Sequence, residues 1–208
     1  SNKVNMKILI GTPIHQVKDY CMERWLKNVA KLLEVYPADF LMVDNSPSLD
    51  YVEKVKKYCK KLGVKNYKIE HIEVRQENGE DERIGRSREV IRQNVLSKDI
   101  DAWFSWECDQ IIPTKSLDKL IAIMRGGNFM LVAHGSPGRV VQTEAIAAFG
   151  ITLIKREPLK KYGFLLEYPN MPNVWHGGEN WFKKQILAGG GNYLEVYGVI
   201  KPIYHLDK

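Results

Sequence analysis

Short apolar runs alternate with amphipathic stretches along the first two thirds of the chain. Each run ends in a polar or turn-forming segment and is interpreted as a buried strand, whereas apolar residues spaced three or four apart indicate helices. The predicted strands are residues 7–10, 40–43, 67–74, 102–106 and 129–133. The predicted helices are residues 18–36, 49–62, 85–96 and 116–124. The polar residues 76–84, which include Gly79, are expected to form a loop.

This alternation predicts an α/β protein built on a mainly parallel sheet. In the last third of the chain, strands are predicted at residues 145–154 and 193–200, with a helix at residues 179–187 between them. We expect antiparallel strands from this part to complete the sheet, which makes it mixed. No linker or internal repeat divides residues 1–208, so a single domain is predicted.

The composition is typical of a folded globular protein: of 208 residues, 44% are hydrophobic and 27% are charged. The formal net charge of +6 suits an acidic ligand such as a nucleotide, and weak attraction to nucleic acid or a membrane surface is an alternative. Three widely spaced cysteines give neither a disulfide framework nor a zinc pattern. Because no apolar stretch approaches about 18 residues and no signal peptide is recognisable, we expect a cytoplasmic protein without a membrane span.

Small and acidic residues follow three of the predicted strands. Residues 11–13 are Gly-Thr-Pro, residues 44–46 are Asp-Asn-Ser and residues 107–109 are Glu-Cys-Asp. Because ligands of open α/β sheets bind outside the carboxyl ends of the strands, these segments are expected to border one crevice. Two acids with one residue between them can direct oxygens at a hard cation, which keeps positions for water and phosphate. A solvated acidic pair and, for Asp44, simple turn chemistry are the alternatives.

Further segments extend this pattern when they are taken in order along the chain. They are residues 8–13, residues 41–46, Gly85-Arg86-Ser87-Arg88, residues 104–113, residues 149–156, Gly178-Glu179-Asn180 and His205. In this order and spacing, the chain resembles the GT-A glycosyltransferases, especially the large inverting family 2, over nearly its full length. The resemblance implies a single GT-A-like, Rossmann-like three-layer α/β/α sandwich with a mainly parallel mixed sheet. It also implies a nucleotide-binding half at about residues 1–110 and an acceptor-side half at about residues 111–208.

The resemblance also implies roles for individual residues. The implied nucleotide-binding residues are Thr12, Pro13, Asp44, Ser46, Arg88 and Glu107. The implied ligands of a Mn²⁺ or Mg²⁺ cofactor are Asp109, Glu107 and His205, which makes Asp109 a catalytic residue as well. Glu179 is the implied general base, and Trp175, His176 and Trp181 are the acceptor-side candidates.

Two positions depart from the pattern of the family. The first acid of the metal motif is Glu107 rather than Asp, which metal coordination tolerates because Asp109 corresponds to the usual direct ligand. Asn180 stands where the second acid of a Gly-Glu-Asp motif is expected. Either Glu179 takes the role of the base, or the enzyme retains configuration, or the chain has lost activity.

These features predict a metal-dependent glycosyltransferase of the hexosyltransferase type, with inversion expected. The predicted donor is a UDP- or GDP-sugar, and the acceptor is a saccharide, a lipid-linked group met at the membrane surface, or a protein. A nucleotidyltransferase is disfavoured because residues 11–15 are not a Gly-rich basic loop. An inactive GT-A-like protein and a polyanion- or nucleic-acid-binding module built on the Lys-rich residues 54–65 are the alternatives. A solvated helix face explains those lysines, so no nucleic-acid partner is expected. The oligomeric state is left open.

Overall fold

A seven-stranded, mainly parallel sheet forms the centre of the computed structural model, which describes residues 5–138 and 145–208. The strands are β1 (Ile8–Ile14), β2 (Asp39–Asp44), β3 (Tyr67–His71), β4 (Ala102–Trp106), β5 (Gln110–Ile111), β6 (Leu131–Pro137), β7 (Ala145–Lys155), β8 (Leu165–Tyr168), β9 (Met171–Trp175), β10 (Tyr193–Val196) and β11 (Tyr204–His205). The order in the main sheet is β10-β6-β7-β4-β1-β2-β3. Only β7 runs antiparallel to its neighbours among these seven described strands, so the predicted mainly parallel mixed sheet is confirmed.

Helices cover both faces of this sheet. They are α1 (Asp19–Val35), α2 (Asp50–Leu62), α3 (Glu80–Ser97), α4 (Ser116–Gly127), α5 (Arg156–Lys161) and α6 (Glu179–Ala188). Buried side chains of α1, α2 and α4 share one hydrophobic cluster, and those of α3, α5 and α6 share the other. The predicted three-layer α/β/α sandwich is therefore confirmed.

The first strand illustrates why this sheet needs helices on both faces. Ile8 and Ile10 belong to the cluster of α1, whereas Leu9 belongs to the cluster of α3. Successive side chains of a strand point to opposite faces, so a run of apolar residues is stable only when both faces are covered. On the α1 side, the fully buried Trp25 packs edge-on against Trp106, with 5.7 Å between ring centroids. This packing fixes the end of β4, directly before the Glu-Cys-Asp segment.

One predicted loop is partly helical in the structure. Residues 76–84 were expected to be a loop, but α3 begins at Glu80, so the prediction is wrong for residues 80–84. The first turn of α3 carries Glu80, Asp81 and Glu82, and acidic side chains there are stabilised by the positive end of the helix dipole. These residues show no apolar periodicity, so a hydrophobic pattern could not identify them as helical.

Other differences concern short elements. The strand predicted at residues 67–74 ends at His71, and the one predicted at residues 193–200 ends at Val196. The last strand of the sheet, β10, lies parallel to β6, so antiparallel pairing is confined to β7 among the described strands of the main sheet. The sequence did not indicate α5, the hairpin of β8 and β9, or the pairing of β5 with β11. Within the described residues, none of the helices combines the length and apolar character needed to cross a membrane.

Candidate active site

A cavity of about 360 Å³ opens at the carboxyl ends of β1, β2 and β4. This is the edge at which open α/β sheets bind their ligands, and the volume lies in the range of small-molecule sites. Its lining includes residues from five parts of the chain: Pro13, Lys18, Asn45, Arg88, Glu107, Asp109 and His205. The cavity therefore brings together the segments that follow three separate strands.

Asp109 and two cationic or donor side chains form what we call the cation end of the cavity. Asp109 is 2% exposed, and its Oδ2 lies 2.9 Å from Lys18 Nζ and 3.3 Å from His205 Nε2. Burial alone would raise the pKa of Asp109, yet the hydrogen bond with His205 and the ammonium of Lys18 hold it well below its usual range. The carboxylate is therefore negative at neutral pH and attracts positive charge.

The C-terminal strand brings His205 to this position. β11 pairs with β5, and the backbone N–H of Leu206 donates to the carbonyl oxygen of Asp109 at 2.7 Å. His205 Nδ1 lies 2.8 Å from the carbonyl oxygen of Pro137, which can only accept, so Nδ1 carries a proton. Nε2 then holds either a second proton directed at Asp109 or a lone pair for a cation. A histidine that binds a metal commonly donates its other ring N–H to a backbone carbonyl in this way.

The donors at the cation end fit a divalent metal ion. A buried carboxylate oxygen and an oriented imidazole nitrogen are suitable ligands for Mn²⁺, and an ammonium already lies against the same carboxylate oxygen. In the part of the chain that the structure describes, three or more His, Cys, Asp or Glu side chains do not converge on one point. A metal held by Asp109 and His205 would therefore complete its coordination with phosphate oxygens and water.

Arg88 and Glu107 line the opposite side of the cavity, and Arg88 also contacts Glu179; we call these three residues the arginine end. Arg88 is 2% exposed, its Nη2 lies 3.6 Å from Glu107 Oε1, and its Nη1 lies 3.7 Å from Glu179 Oε1. Nη1 also donates to the carbonyl oxygen of Gly177, and the guanidinium carbon lies 5.0 Å from the centroid of the Phe149 ring. Burial lowers the pKa of Arg88, and the two carboxylates oppose that effect. One buried cation thus links the Glu-Cys-Asp segment to the start of α6.

Glu107 is directed to the arginine end rather than the cation end. Its side chain is 39% exposed and lines the cavity. The surrounding protein desolvates the carboxyl group even at this exposure, and this raises the pKa of Glu107 despite the opposing charge of Arg88. A Cβ atom at Gly150 would lie 2.2 Å from Gln110 Nε2 and 3.3 Å from Glu107 Oε2, so the glycine on β7 leaves the room that these side chains occupy.

Glu179 begins α6 and reaches Arg88 from outside the lined cavity. Gly178, which precedes it, has φ 96°, a value that L residues with side chains rarely adopt. A Cβ atom at Gly178 would also lie 2.5 Å from the ring of Phe164. Both constraints require glycine there, and they fix where Glu179 enters the site. Asn180, the next residue, is exposed.

The predicted nucleotide-binding residues divide into those that line the cavity and those beneath its wall. Pro13, Arg88 and Glu107 line it. Three predicted residues do not and instead make internal contacts: Thr12, Asp44 and Ser46. Thr12 Oγ1 donates to the carbonyl oxygen of Trp106 at 2.7 Å, and Asp44 Oδ2 lies 2.7 Å from His71 Nδ1. Ser46 Oγ accepts from the backbone N–H of Gln16 at 2.9 Å.

Five polar residues that line the cavity were not among the predicted site residues: His15, Lys18, Asn45, Glu80 and Arg83. Two of them, Asn45 and Lys18, join separate segments of the chain. Asn45 follows β2 and donates to Ser87 Oγ at 2.9 Å, which ties the end of β2 to α3. Lys18 stands directly before α1 and contacts Asp109 across 91 positions of sequence. The position of Asn45 beside Asp44 at a strand end was a signal for the first, whereas the chain around Lys18 gives no local signal for its contact.

The three acceptor-side candidates lie outside this cavity, and two of them, His176 and Trp181, belong to an aromatic cluster. His176 lies 4.6 Å from Trp181 and 5.6 Å from Phe164 between ring centroids. Burial lowers the pKa of His176, whose Nε2 lies 2.9 Å from the carbonyl oxygen of Gly163. Trp175 borders a separate groove, where the guanidinium of Arg86 lies 4.8 Å from its ring centroid. Arg86 therefore faces away from the cavity that Arg88 lines.

The sheet order, the single reversed strand and the acidic segment after β4 define a GT-A-like glycosyltransferase fold. One similar solved structure is the mannosyltransferase PcManGT from Pyrobaculum calidifontis in complex with GDP-Man and Mn²⁺, with a TM-score of 0.65 at 13% sequence identity. That match covers 95% of this chain and 56% of the mannosyltransferase chain. Another is S. aureus TarS 1-349 in complex with UDP-GlcNAc, with a TM-score of 0.54 at 17% identity. It covers 75% of this chain and 47% of TarS 1-349.

This chain thus spans about half the length of these structures. No protein-family model matches the sequence, and no curated protein matches it. The similarity shows the fold.

Proposed function

We propose that this protein is a metal-dependent glycosyltransferase that moves a hexose from a UDP- or GDP-sugar to an acceptor hydroxyl. The observation that carries the proposal is the buried Asp109 carboxylate after β4, which faces His205 in a cavity of nucleotide-binding size. The complexes of the similar structures, GDP-Man with Mn²⁺ in one and UDP-GlcNAc in the other, support the same ligand class.

The donor side of the reaction uses the cation end. Asp109 and His205 would hold Mn²⁺ or Mg²⁺ through one oxygen and one nitrogen. When bound, the metal acts as a Lewis acid that neutralises the charge developing on the leaving diphosphate. Pro13 and Glu107 line the cavity for the donor, while Thr12, Asp44 and Ser46 hold the wall behind it.

The acceptor side uses the arginine end. The acceptor oxygen attacks the anomeric carbon, the bond from that carbon to the diphosphate breaks, and Glu179 takes the proton of the attacking hydroxyl. A base in this role must come within about 3 Å of that hydroxyl. Arg88 lies 3.7 Å from Glu179 and 3.6 Å from Glu107, so it orients the base relative to the donor site. Attack on the face opposite the leaving group gives inversion. Trp175, His176 and Trp181 stand on the same side of the molecule as α6 and are proposed to border the acceptor.

A thermal-shift titration with UDP, GDP, CDP and ADP, each with and without Mn²⁺, tests the proposal. A ligand that binds the folded state alone raises its melting temperature. We expect a Mn²⁺-dependent shift with one diphosphate, lost in Asp109→Asn and retained in Asp118→Asn, which changes an exposed acid on α4. The absence of a shift with all four nucleotides, or an undiminished shift in Asp109→Asn, would overturn the metal-dependent transferase.

The polyanion-binding alternative gains no support from α2. Three of its lysines are paired with acids: Lys54 with Asp19, Lys56 with Glu53 and Lys61 with Glu23. Such pairs reduce the positive potential of the face that a polyanion would need. An inactive GT-A-like protein would show the nucleotide-dependent shift without sugar transfer, which separates that alternative from the proposed enzyme.

A further inference from the structure

The side chain of Lys18 has no part in the function proposed so far, although it reaches the centre of the cation end. It extends from the turn before α1, lines the cavity, and is 27% exposed. Its Nζ lies 2.9 Å from Asp109 Oδ2, the same oxygen that His205 Nε2 faces at 3.3 Å. One carboxylate oxygen is thus shared by an ammonium and by the imidazole nitrogen that would bind a metal.

An ammonium and a divalent ion compete for this oxygen. A metal such as Mg²⁺ binds a carboxylate oxygen at about 2.0–2.1 Å, and an ammonium 2.9 Å from that oxygen uses the same lone pairs. Two positive charges within a few ångströms also repel each other strongly in a site largely shielded from water. A metal that binds Oδ2 of Asp109 together with Nε2 of His205 would therefore displace Lys18 from that oxygen.

The cavity offers Lys18 a second position. Its ammonium is carried by a flexible four-carbon stem, and the side chain borders the space in which the donor would lie. The phosphate oxygens of a nucleoside diphosphate are strong acceptors for an ammonium. A donor would therefore offer Lys18 a new anionic partner when the metal takes its place at Asp109.

We propose that the ammonium of Lys18 occupies the cation position at Asp109 when no ligand is bound. When the donor binds, the divalent metal takes this position and the Lys18 side chain moves to the diphosphate. The inference rests on the proposed function, because it assigns Lys18 to the metal and donor site of that reaction. Its consequence is coupling: Lys18 weakens metal binding to the protein alone and strengthens binding of the diphosphate. Metal and donor then bind together rather than independently.

Mn²⁺ titrations followed by electron paramagnetic resonance test this inference without an activity assay. The titrations compare the unmodified protein with Lys18→Met and Lys18→Arg, each in the absence and presence of GDP and of UDP. Lys27→Met is the matched control, since it removes an exposed lysine from α1. For Lys18→Met, we expect Mn²⁺ affinity without nucleotide to rise by about tenfold, because a repelling charge is gone. With Mn²⁺ present, diphosphate affinity should fall by about tenfold, because a phosphate partner is lost.

The charge-retaining Lys18→Arg variant and Lys27→Met are both expected to bind Mn²⁺ alone as the unmodified protein does. If the unmodified protein binds Mn²⁺ with a diphosphate but Lys18→Met shows no gain for Mn²⁺ alone, the exchange is overturned and the proposed function stands. If neither protein binds Mn²⁺ with any diphosphate, the metal-dependent function fails as well. Circular dichroism would show whether Lys18→Met folds. If it does not, Lys18→Gln takes its place as the uncharged variant. Equal affinities of Lys18→Gln and Lys18→Arg for Mn²⁺ alone would then overturn the exchange.

Discussion

The two ends of the cavity shift the pKa values of two neighbouring acids, Asp109 and Glu107, in opposite directions. Asp109 lies against Lys18 and His205, which hold its pKa well below the usual range. Glu107 stands two positions earlier, and burial raises its pKa although Arg88 lies 3.6 Å away. The chain turns between them, with the N–H of Gln110 donating to the carbonyl oxygen of Glu107 at 3.2 Å, so the two side chains diverge.

This difference separates the two acids of the Glu-Cys-Asp segment by their electrostatic environments. Acids whose environments move their pKa values apart commonly divide the work of a site. Asp109, negative and next to an oriented imidazole, suits a cation. Glu107 lines the cavity and shares Arg88 with Glu179, so in the proposed enzyme it connects the donor site to the base.

The largest effect is expected when the arginine end loses its proposed base. Glu179→Gln should lower kcat by about 10²-fold or more, because a general base commonly contributes that much, while donor KM changes little. Glu107→Gln is the matched variant, since its carboxylate also contacts Arg88 but lines the donor cavity. It should raise donor KM more than it lowers kcat. Steady-state kinetics with the donor found by the nucleotide titration measure both. Equal effects of the two variants on kcat and KM would contradict the assigned difference.

Loss of the cation at the arginine end should weaken the fold. Arg88→Met leaves two carboxylates without their shared partner, and we expect the free energy of unfolding to fall by about 2 kcal/mol. The value is below that for a fully buried pair because both carboxylates are more than one third exposed. Urea unfolding measures it, with Arg86→Met as the control, since the Arg86 side chain is 41% exposed. If both variants lose the same stability, the contacts of Arg88 with the two carboxylates stabilise the fold no more than an exposed ion pair does.

A smaller effect is expected from the imidazole at the cation end. His205→Ala should weaken Mn²⁺ binding in the presence of the diphosphate by about tenfold and leave diphosphate binding at saturating Mn²⁺ unchanged. Tyr204→Ala removes an exposed neighbour from the same short strand and should bind Mn²⁺ as before. Calorimetric titration measures both affinities. If His205→Ala binds Mn²⁺ with unaltered affinity, His205 is not a ligand. Asp109 would then be the one proposed protein ligand that remains.

The parts of this molecule that could be predicted from sequence are those with local patterns. The strands at residues 7–10, 40–43 and 102–106 were recognisable because both faces of them are buried, which gives uninterrupted apolar runs. Their carboxyl ends then located the cavity through the general rule for α/β sheets. The start of α3 was missed because residues 80–84 hold one apolar residue, Ile84, and so no helical period.

The contacts that complete the site have no such pattern. Lys18 meets Asp109 over 91 positions, and His205 meets it over 96 positions through a two-residue strand. A lysine before a helix ordinarily extends into solvent, and a lone histidine near a terminus is weak evidence for a ligand. Only the tertiary pairing of β5 with β11 brings the second of these to the acid. The division between Glu107 and Asp109 likewise depends on a turn whose direction the residue types do not encode.

The smallest effect concerns a histidine that holds the C-terminal segment before β11. His134 Nδ1 lies 2.7 Å from the carbonyl oxygen of Gly135, and Nε2 accepts from the N–H groups of Val199 and Ile200 at 3.2 and 3.0 Å. The ring is therefore neutral, and burial lowers the pKa of His134 below its ordinary value of 6.5. A histidine with a lowered pKa binds its proton more tightly in the unfolded chain, so its contribution is intact above pH 6.5 and is lost as the pH falls below it.

Acidification should consequently loosen the segment at Val199 and Ile200, which leads to β11. We expect amide hydrogen exchange at Val199 and Ile200, corrected for intrinsic rates, to be faster at pH 5.5 than at pH 7.5. The free energy of this local opening should fall by about 1 kcal/mol, the worth of one buried hydrogen bond. His134→Gln keeps an acceptor that does not titrate, so its exchange there should depend little on pH. Equal acceleration in both proteins would show that another group causes the pH response. His134 would then not be the residue that holds the segment leading to His205.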